Sequence, residues 1–180
     1  MHPMLNIAVR AARVAGSIIV RGFENRDDLV KQVKGANDYV TQIDKEAEMA
    51  IIHKIKQSYP EHSFLGEESG ETAGESAEFQ WIIDPLDGTT NFIKGIPHFA
   101  VSIALLHKGR LDQGVVFDPI RGELFTASRG QGAQLNGYRI RASKARDLSE
   151  TVLATGLPFK NKTQYADYAI RLNKIFHDCG

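Results

Sequence analysis

The sequence predicts an α+β or layered α/β fold, in which two helices pack on a largely antiparallel sheet and a second α/β unit begins. Three observations predict it. Up to about residue 58, apolar residues recur at helical spacing. From about 62 to 140, short apolar runs alternate with turn residues, as in a series of short strands. After a polar linker at 142–150, both patterns start again. We therefore expect an N-terminal metal-binding α+β domain over residues 1–145 and the beginning of a second, incomplete α/β domain over residues 146–180.

Two amphipathic helices are predicted near the N-terminus. The first covers about Met4–Phe23, and its inward-facing residues are Leu5, Ala8, Ala12, Ala15, Ile18 and Ile19. The second covers Asp44–Ser58 and ends before Pro60; its inward-facing residues are Ala47, Ile51 and Ile55. From its position alone, Asp44 is interpreted as the residue that opens this helix, as a cap or a first-turn acid.

Short strands separated by turns follow the helices. Trp81–Ile83 is predicted to be a buried strand that must end at Pro85, because proline lacks the N–H that a ladder needs. The polar stretch 71–78 is predicted to be an exposed loop, and Asn136-Gly137 a two-residue hairpin turn. Further strands are expected at 98–107, 111–117, 123–127, 133–135, 138–140 and 151–155, and a final helix at about 163–177.

Composition and charge restrict the function classes. Basic and acidic residues balance at 22 each, which leaves no net basic character of the kind that favours direct nucleic-acid binding. The single cysteine, Cys179, excludes an internal disulfide and suits the reducing cytoplasm, where we expect the protein to be located. Arg10 and Arg13 interrupt the apolar residues near the N-terminus, so neither a signal peptide nor a membrane span is expected.

The residues best suited to chemistry follow the predicted strand at 81–83. Asp84 and Asp87 stand at its end, and carboxylate oxygens are the ligands that Mg²⁺ prefers. Gly88 allows a ligand to approach the main chain closely, and free N–H groups at the helix start predicted around Thr89 suit a phosphate. A metal and an anion can therefore bind side by side at this turn, as metal-assisted phosphoryl chemistry requires.

A second acidic pair, Glu67-Glu68, follows the apolar pair Phe64-Leu65 and Gly66 in the same arrangement. Two carboxylate clusters at strand ends could converge on one site. The alternative is that both clusters are ordinary surface turns, which is the commoner fate of an Asp-Pro-x-Asp-Gly string taken alone. No histidine pair has the spacing of a zinc site, and Gly130-Gln131-Gly132 lacks the lysine and hydroxyl of a phosphate-binding loop.

Three ordered motifs resemble the inositol monophosphatase family. Asp84-Pro-Leu-Asp-Gly-Thr-Thr-Asn-Phe92 is similar to the first signature of that family, and Asp38-Tyr-Val-Thr-Gln-Ile-Asp44 and Gly66-Glu-Glu-Ser69 are similar to its two upstream motifs. The resemblance covers essentially the whole chain and is closest to the bacterial SuhB-type members. It implies an αβαβα sandwich, and usually a homodimer.

The resemblance also implies a role for each matching residue. The metal ligands would be Glu67, Asp84, Asp87 and the carbonyl oxygen of Leu86. Thr89, backed by Asp44, would position or deprotonate the attacking water, and Glu68 would lie in or next to the ligand shell. The phosphate would be bound at Asp87 and by the N–H groups of Gly88 and Thr89.

The function implied is Mg²⁺-dependent, lithium-sensitive hydrolysis of a small phosphate monoester, with inositol monophosphate as the leading substrate. One alternative is a sister phosphatase that acts on a sugar bisphosphate or a nucleotide phosphate. The other is a SuhB-like protein-binding role in transcription and ribosomal RNA synthesis, with transcription-complex proteins as partners. The resemblance further places one metal-binding aspartate, after a second tryptophan, beyond Gly180, so we expect these 180 residues alone to be inactive or nearly so.

Overall fold

The computed structural model describes residues 2–25, 36–158 and 161–176. The chain forms two compact units, Met1–Arg141 and Ala142–Gly180, which are considered separately below. Lys31, Lys34, His177 and Cys179 lie outside the described residues.

Helix α1 spans Pro3–Glu24, helix α2 spans Ala36–Lys56 and the short helix α3 spans Thr89–Lys94. The N–H of Met4 donates to the His2 side chain, which caps α1, and Pro3 occupies the first turn, where no N–H is needed. The predicted first helix is therefore confirmed. The second begins well before Asp44, so the interpretation of Asp44 as the residue that opens it is wrong: capping and dipole effects belong to the first turn.

Eight strands form one mixed sheet in the order β2-β1-β3-β4-β5-β6-β7-β8. Their bounds are β1 His62–Gly66, β2 Gly70–Thr72, β3 Ser76–Asp87, β4 Ala100–His107, β5 Arg110–Asp118, β6 Glu123–Ser128, β7 Gly132–Leu135 and β8 Tyr138–Ile140. The pairs are antiparallel except for β1 and β3, which run parallel. The predicted fold class, helices on a largely antiparallel sheet, is confirmed.

Strand β3 continues through Pro85, contrary to the prediction that it ends there. The pairing with β4 is regular up to Asp84, which lies opposite Ser102, and resumes at Asp87, opposite Ala100. The register shifts between these two positions, so Pro85 lies where the ladder is irregular and its missing N–H removes no regular hydrogen bond.

Two further predictions concern a loop and a turn; the first is confirmed in part and the second is confirmed. The stretch 71–78 is largely exposed as expected, but it is not all loop, because β2 and the start of β3 lie in it. The hairpin turn at Asn136-Gly137 is confirmed, with φ of 50° and 85°. Both central residues then have positive φ, as a type I′ turn requires.

The core of the first unit lies between one face of the sheet and the two helices. Ala47, Ile51 and Ile55 of α2 are fully buried there, as predicted. Helix α1 is long and apolar enough to cross a membrane, yet its buried side consists of core residues: Leu5, Ala8, Ala11, Ala12, Ala15, Gly16, Ile19 and Gly22. A core helix of this kind passes the same length and hydropathy test.

A column of stacked rings packs against this core. His62 stacks between Tyr59 and Phe79, with ring centroids 4.8 and 4.7 Å away, and Phe79 stacks on His107 at 4.5 Å. The indole N–H of Trp81 donates to Nδ1 of the buried His62 at 3.0 Å. Nδ1 is therefore an acceptor, which places the proton of a neutral His62 on Nε2.

The second unit contains helix α4, Tyr165–Phe176, and two short 3₁₀ turns at Leu148–Glu150 and Lys162–Gln164. The helix predicted at 163–177 is confirmed in substance. The strand predicted at 151–155 is wrong, because the described residues of this unit provide no neighbouring strand with which it could pair.

Candidate metal and phosphate site

The two acidic clusters meet because β1 and β3 are parallel neighbours. Gly66, the last residue of β1, lies opposite Ile83, and the N–H of Glu67 donates to the carbonyl oxygen of Ile83 at 3.1 Å. Glu67 and Asp84 therefore lie side by side at the ends of these strands, close enough for the Glu67 carboxyl group to raise the pKa of Asp84. The convergence predicted from the sequence follows from this pairing.

Asp84 is an unusual carboxyl group. Its pKa is raised to about 7, first by burial and then by the Glu67 carboxyl group and the charge of Asp87, while the N–H of Leu86 opposes the shift. Its Oδ1 atom is buried and accepts no hydrogen bond from the described residues. A buried carboxylate oxygen without a donor is costly, and a bound cation would compensate for it.

Asp44, in the middle of α2, faces the place where Glu67 and Asp84 meet, which is called the corner below. Its side chain is only 6 % exposed, and its Oδ1 also has no hydrogen-bond partner among the described residues. Its pKa is raised to about 7, first by burial and then by the charges of Glu68, Glu67, Asp84 and Glu48 in that order. The corner thus collects negative charge around two carboxyl groups that lack donors.

Glu48, one turn after Asp44 on α2, was not identified from the sequence. It is 2 % exposed, and its carboxylate accepts the N–H groups of Glu68 and Ser69 at 3.0 and 2.9 Å. Its spacing of four residues from Asp44 puts both acids on one helix face and could have revealed it.

The turn after β3 leads directly into helix α3, Thr89–Lys94. Gly88 has φ of +99°, and a Cβ there would lie 3.0 Å from the carbonyl oxygen of His98. Only glycine satisfies both constraints. Asn91 secures the other side of the turn, since its amide donates to the same His98 oxygen at 2.8 Å.

The hydroxyl of Thr89 donates to the Leu86 carbonyl at 3.1 Å. In this structure the Thr89 hydroxyl therefore donates to Leu86 and not to Asp44, and the pairing of Thr89 with Asp44 that the resemblance implies stays a prediction. The Leu86 oxygen, the predicted main-chain metal ligand, already accepts one hydrogen bond and has a second lone pair available.

No group of three or more His, Cys, Asp or Glu side chains within the described residues is already arranged to hold a metal ion. The chemistry of the donors nevertheless fits Mg²⁺: Glu67, Asp84, Asp87 and the Leu86 carbonyl are all oxygen ligands, and Glu67 and Asp87 are exposed. The two buried oxygens without donors lie on Asp84 and Asp44. The assignment of individual ligands stays a prediction.

Residues 1–178 match the inositol monophosphatase family. The chain belongs to this family. Among curated relatives, the Nus factor SuhB of Escherichia coli strain K12 is 59% identical over 179 residues, and that of Vibrio cholerae is 54% identical. Both matches cover 99% of this chain and 67% of the relative.

Solved structures of family members have the same fold. The extragenic suppressor protein SuhB of Bartonella henselae superposes with a TM-score of 0.86 at 42% identity, over 99% of this chain and 68% of that one. The inositol monophosphatase of Anabaena superposes with a TM-score of 0.78 at 35% identity, over 94% and 62%. The chain thus spans about two thirds of the length of these inositol monophosphatase family proteins.

Proposed function

We propose that this chain carries the metal- and phosphate-binding half of a Mg²⁺-dependent phosphatase for small phosphate monoesters, with inositol monophosphate as the leading substrate. The observation that supports it most directly is a pair of buried carboxylate oxygens, on Asp44 and Asp84, where the two acidic clusters meet; neither oxygen has a donor among the residues that the structure describes. Membership of the inositol monophosphatase family supports the same reaction class.

Each of the candidate residues would have a separate role in the reaction. Glu67, Asp84, Asp87 and the Leu86 carbonyl would hold Mg²⁺, which would neutralise the phosphate and make a water molecule more acidic. Thr89 would turn its hydroxyl from Leu86 toward the attacking water, and Asp44 would accept a proton. Glu68, whose N–H is fixed by Glu48, would lie beside the ligands. The N–H groups of Gly88 and Thr89 would bind the phosphate oxygens.

The decisive variant is Asp87→Asn. Loss of this exposed carboxylate should cost about 4 kcal/mol of transition-state stabilisation, roughly a thousandfold in kcat/KM. The variant would be compared with the wild type by phosphate release from inositol monophosphate, in residues 1–180 continued by the C-terminal third of the Escherichia coli relative. Residues 1–180 alone, measured beside it, should release little or no phosphate. Asp167→Asn, an exposed charge change in α4, is the control. Full turnover in Asp87→Asn, or in excess chelator, would refute the proposal, and insensitivity to lithium would count against it.

A second function is favoured by a different observation, the 59% identity to a protein named a Nus factor. In that case the chain would bind transcription-complex proteins, and the formal net charge of zero favours protein partners over direct contact with RNA. The double variant Asp84→Asn, Asp87→Asn separates the two: a phosphatase loses its role in cells, whereas an adaptor keeps it. A homodimer and a cytoplasmic location remain predictions, which sedimentation and cell fractionation would test.

A further inference from the structure

The turn that carries Glu67 is attached to a buried carboxylate on another element. Both oxygens of Glu48 are used: Oε2 accepts the Glu68 N–H at 3.0 Å and Oε1 accepts the Ser69 N–H at 2.9 Å. Hydrogen bonds from N–H groups to a carboxylate are about twice as strong as neutral ones. Because two consecutive N–H groups point at one side chain, the backbone direction of the turn is determined by α2.

The carboxylate of Glu48 is tightly packed by its surroundings. Glu48 is 2 % exposed, and a Cβ on Gly66 would lie only 2.4 Å from its carboxylate, so the glycine provides the space that the carboxylate occupies. No described residue forms an ion pair with Glu48. A buried carboxylate without a counter-ion is costly, and the two turn N–H groups are what compensate for it.

We propose that Glu48 is a positioning residue for the metal site. It holds the turn 67–69 so that the Glu67 side chain meets Asp84, without binding metal itself, since both of its oxygens are already engaged. This inference rests on the proposed function, because it assigns Glu48 a role in metal affinity as well as in folding. It differs from a purely structural role in predicting that Glu48 affects Mg²⁺ binding even when the fold is intact.

The test uses Glu48→Gln in residues 1–180. Glutamine keeps the shape, but its NH₂ group would face one of the two turn N–H groups, donor against donor. We expect Mg²⁺ to bind at least ten times more weakly to this variant, measured by calorimetry at a temperature where circular dichroism shows both proteins folded. Glu48→Asp, which restores the charge one methylene short, should recover part of the affinity. Glu46→Gln, at an exposed position of the same helix, should bind like the wild type.

The outcomes separate the two proposals. If Glu48→Gln lowers Tm while its Mg²⁺ affinity stays within twofold of wild type, the positioning role is overturned and the metal site stands. If the wild type itself binds no Mg²⁺, the proposed function fails.

A measurement on the wild type covers the case in which the variants do not fold. The amides of Glu68 and Ser69 should exchange with solvent at least a hundred times more slowly than those of an exposed turn, before any metal is added. Exchange at exposed-turn rates would overturn the role of Glu48.

Discussion

At the scale of single residues, Asp44 and Asp84 have properties that would be costly in an ordinary surface carboxyl group. Each has a buried oxygen that finds no donor in the described part of the chain, and each has a pKa raised to about 7, first of all by burial. Functional sites collect groups of this kind, because a carboxyl that titrates near neutrality can exchange a proton or take up a cation under physiological conditions.

The raised pKa values predict how the metal-free protein responds to pH. Between pH 3.8 and about 7 the folded state holds protons on Asp44 and Asp84 that the unfolded state has released. Their contribution to stability is therefore complete below pH 3.8, declines progressively as pH rises from there, and is lost once pH passes about 7. We expect Tm in chelator to fall as pH rises from 3.8 to about 7 and to level off above that pH, with a shallower fall in Asp44→Asn. An equal slope in the variant would contradict the assignment of Asp44.

Magnesium should reverse this trend. Its ligands must be deprotonated, so binding releases the protons that the corner holds. Mg²⁺ affinity is expected to increase from pH 6 to pH 8, and added Mg²⁺ should raise Tm more at pH 8 than at pH 6. Calorimetry in two buffers of different ionisation enthalpy would count the protons released, and a count of zero would argue against binding at these carboxylates.

At the scale of secondary-structure elements, the site depends on how β3 connects to α3. The strand passes Pro85 at a ladder irregularity, and Gly88 then turns the chain with φ of +99° against His98 and Phe99. This places four functional candidates, Asp84, Leu86, Asp87 and Thr89, within one strand end and one helix start.

Replacing the glycine should damage this connection. Gly88→Ala combines left-handed strain with a Cβ 3.0–3.2 Å from neighbouring atoms, and we expect a loss of about 2–3 kcal/mol in the free energy of unfolding. Gly122→Ala is the matched control, because it has φ of +67° but nothing within 4 Å, and should cost only about 1 kcal/mol. Urea unfolding measures both; equal losses would mean that the close approach to His98 has no energetic weight.

At the scale of the whole molecule, every ligand predicted within these 180 residues lies in the first unit, Met1–Arg141. Residues 1–141 should therefore bind Mg²⁺ with the affinity of residues 1–180, within about threefold. Calorimetry on the two purified proteins checks this. Loss of binding in the shorter protein that still shows the α+β circular dichroism spectrum would mean that the second unit contributes to the site.

Structural features that depend on residues close together in the chain could be predicted from the sequence, whereas features that depend on residues distant in the chain could not. Hairpins such as Asn136-Gly137 and the stripe of α2 follow from local conformational rules and periodicity, and they are confirmed. The start of α2, the passage of β3 through Pro85 and the absence of a strand at 151–155 depend on neighbours that local patterns do not contain.

The same distinction holds for the candidate site. Asp84, Asp87 and Glu67 could be found because carboxylates at strand ends have a local pattern. Glu48 could not be found in that way, because its role depends on hydrogen bonds to residues twenty and twenty-one positions away in the chain. The hydrogen bond from Thr89 to Leu86, rather than to Asp44, likewise depends on how α2 and α3 are placed in space.

The ring column has an optical consequence. Trp81 is the sole tryptophan of the chain, and it donates to a histidine whose pKa is lowered, first by burial and against the charge of Glu61. When acid finally protonates Nδ1, that acceptor is lost, and an imidazolium beside an indole quenches its emission. Stability contributed by the neutral His62 decreases as pH falls below 6.5, opposite in direction to the effect of Asp44 and Asp84. The intrinsic fluorescence of this protein therefore reports acidification of the ring column, on the same strand that carries Asp84.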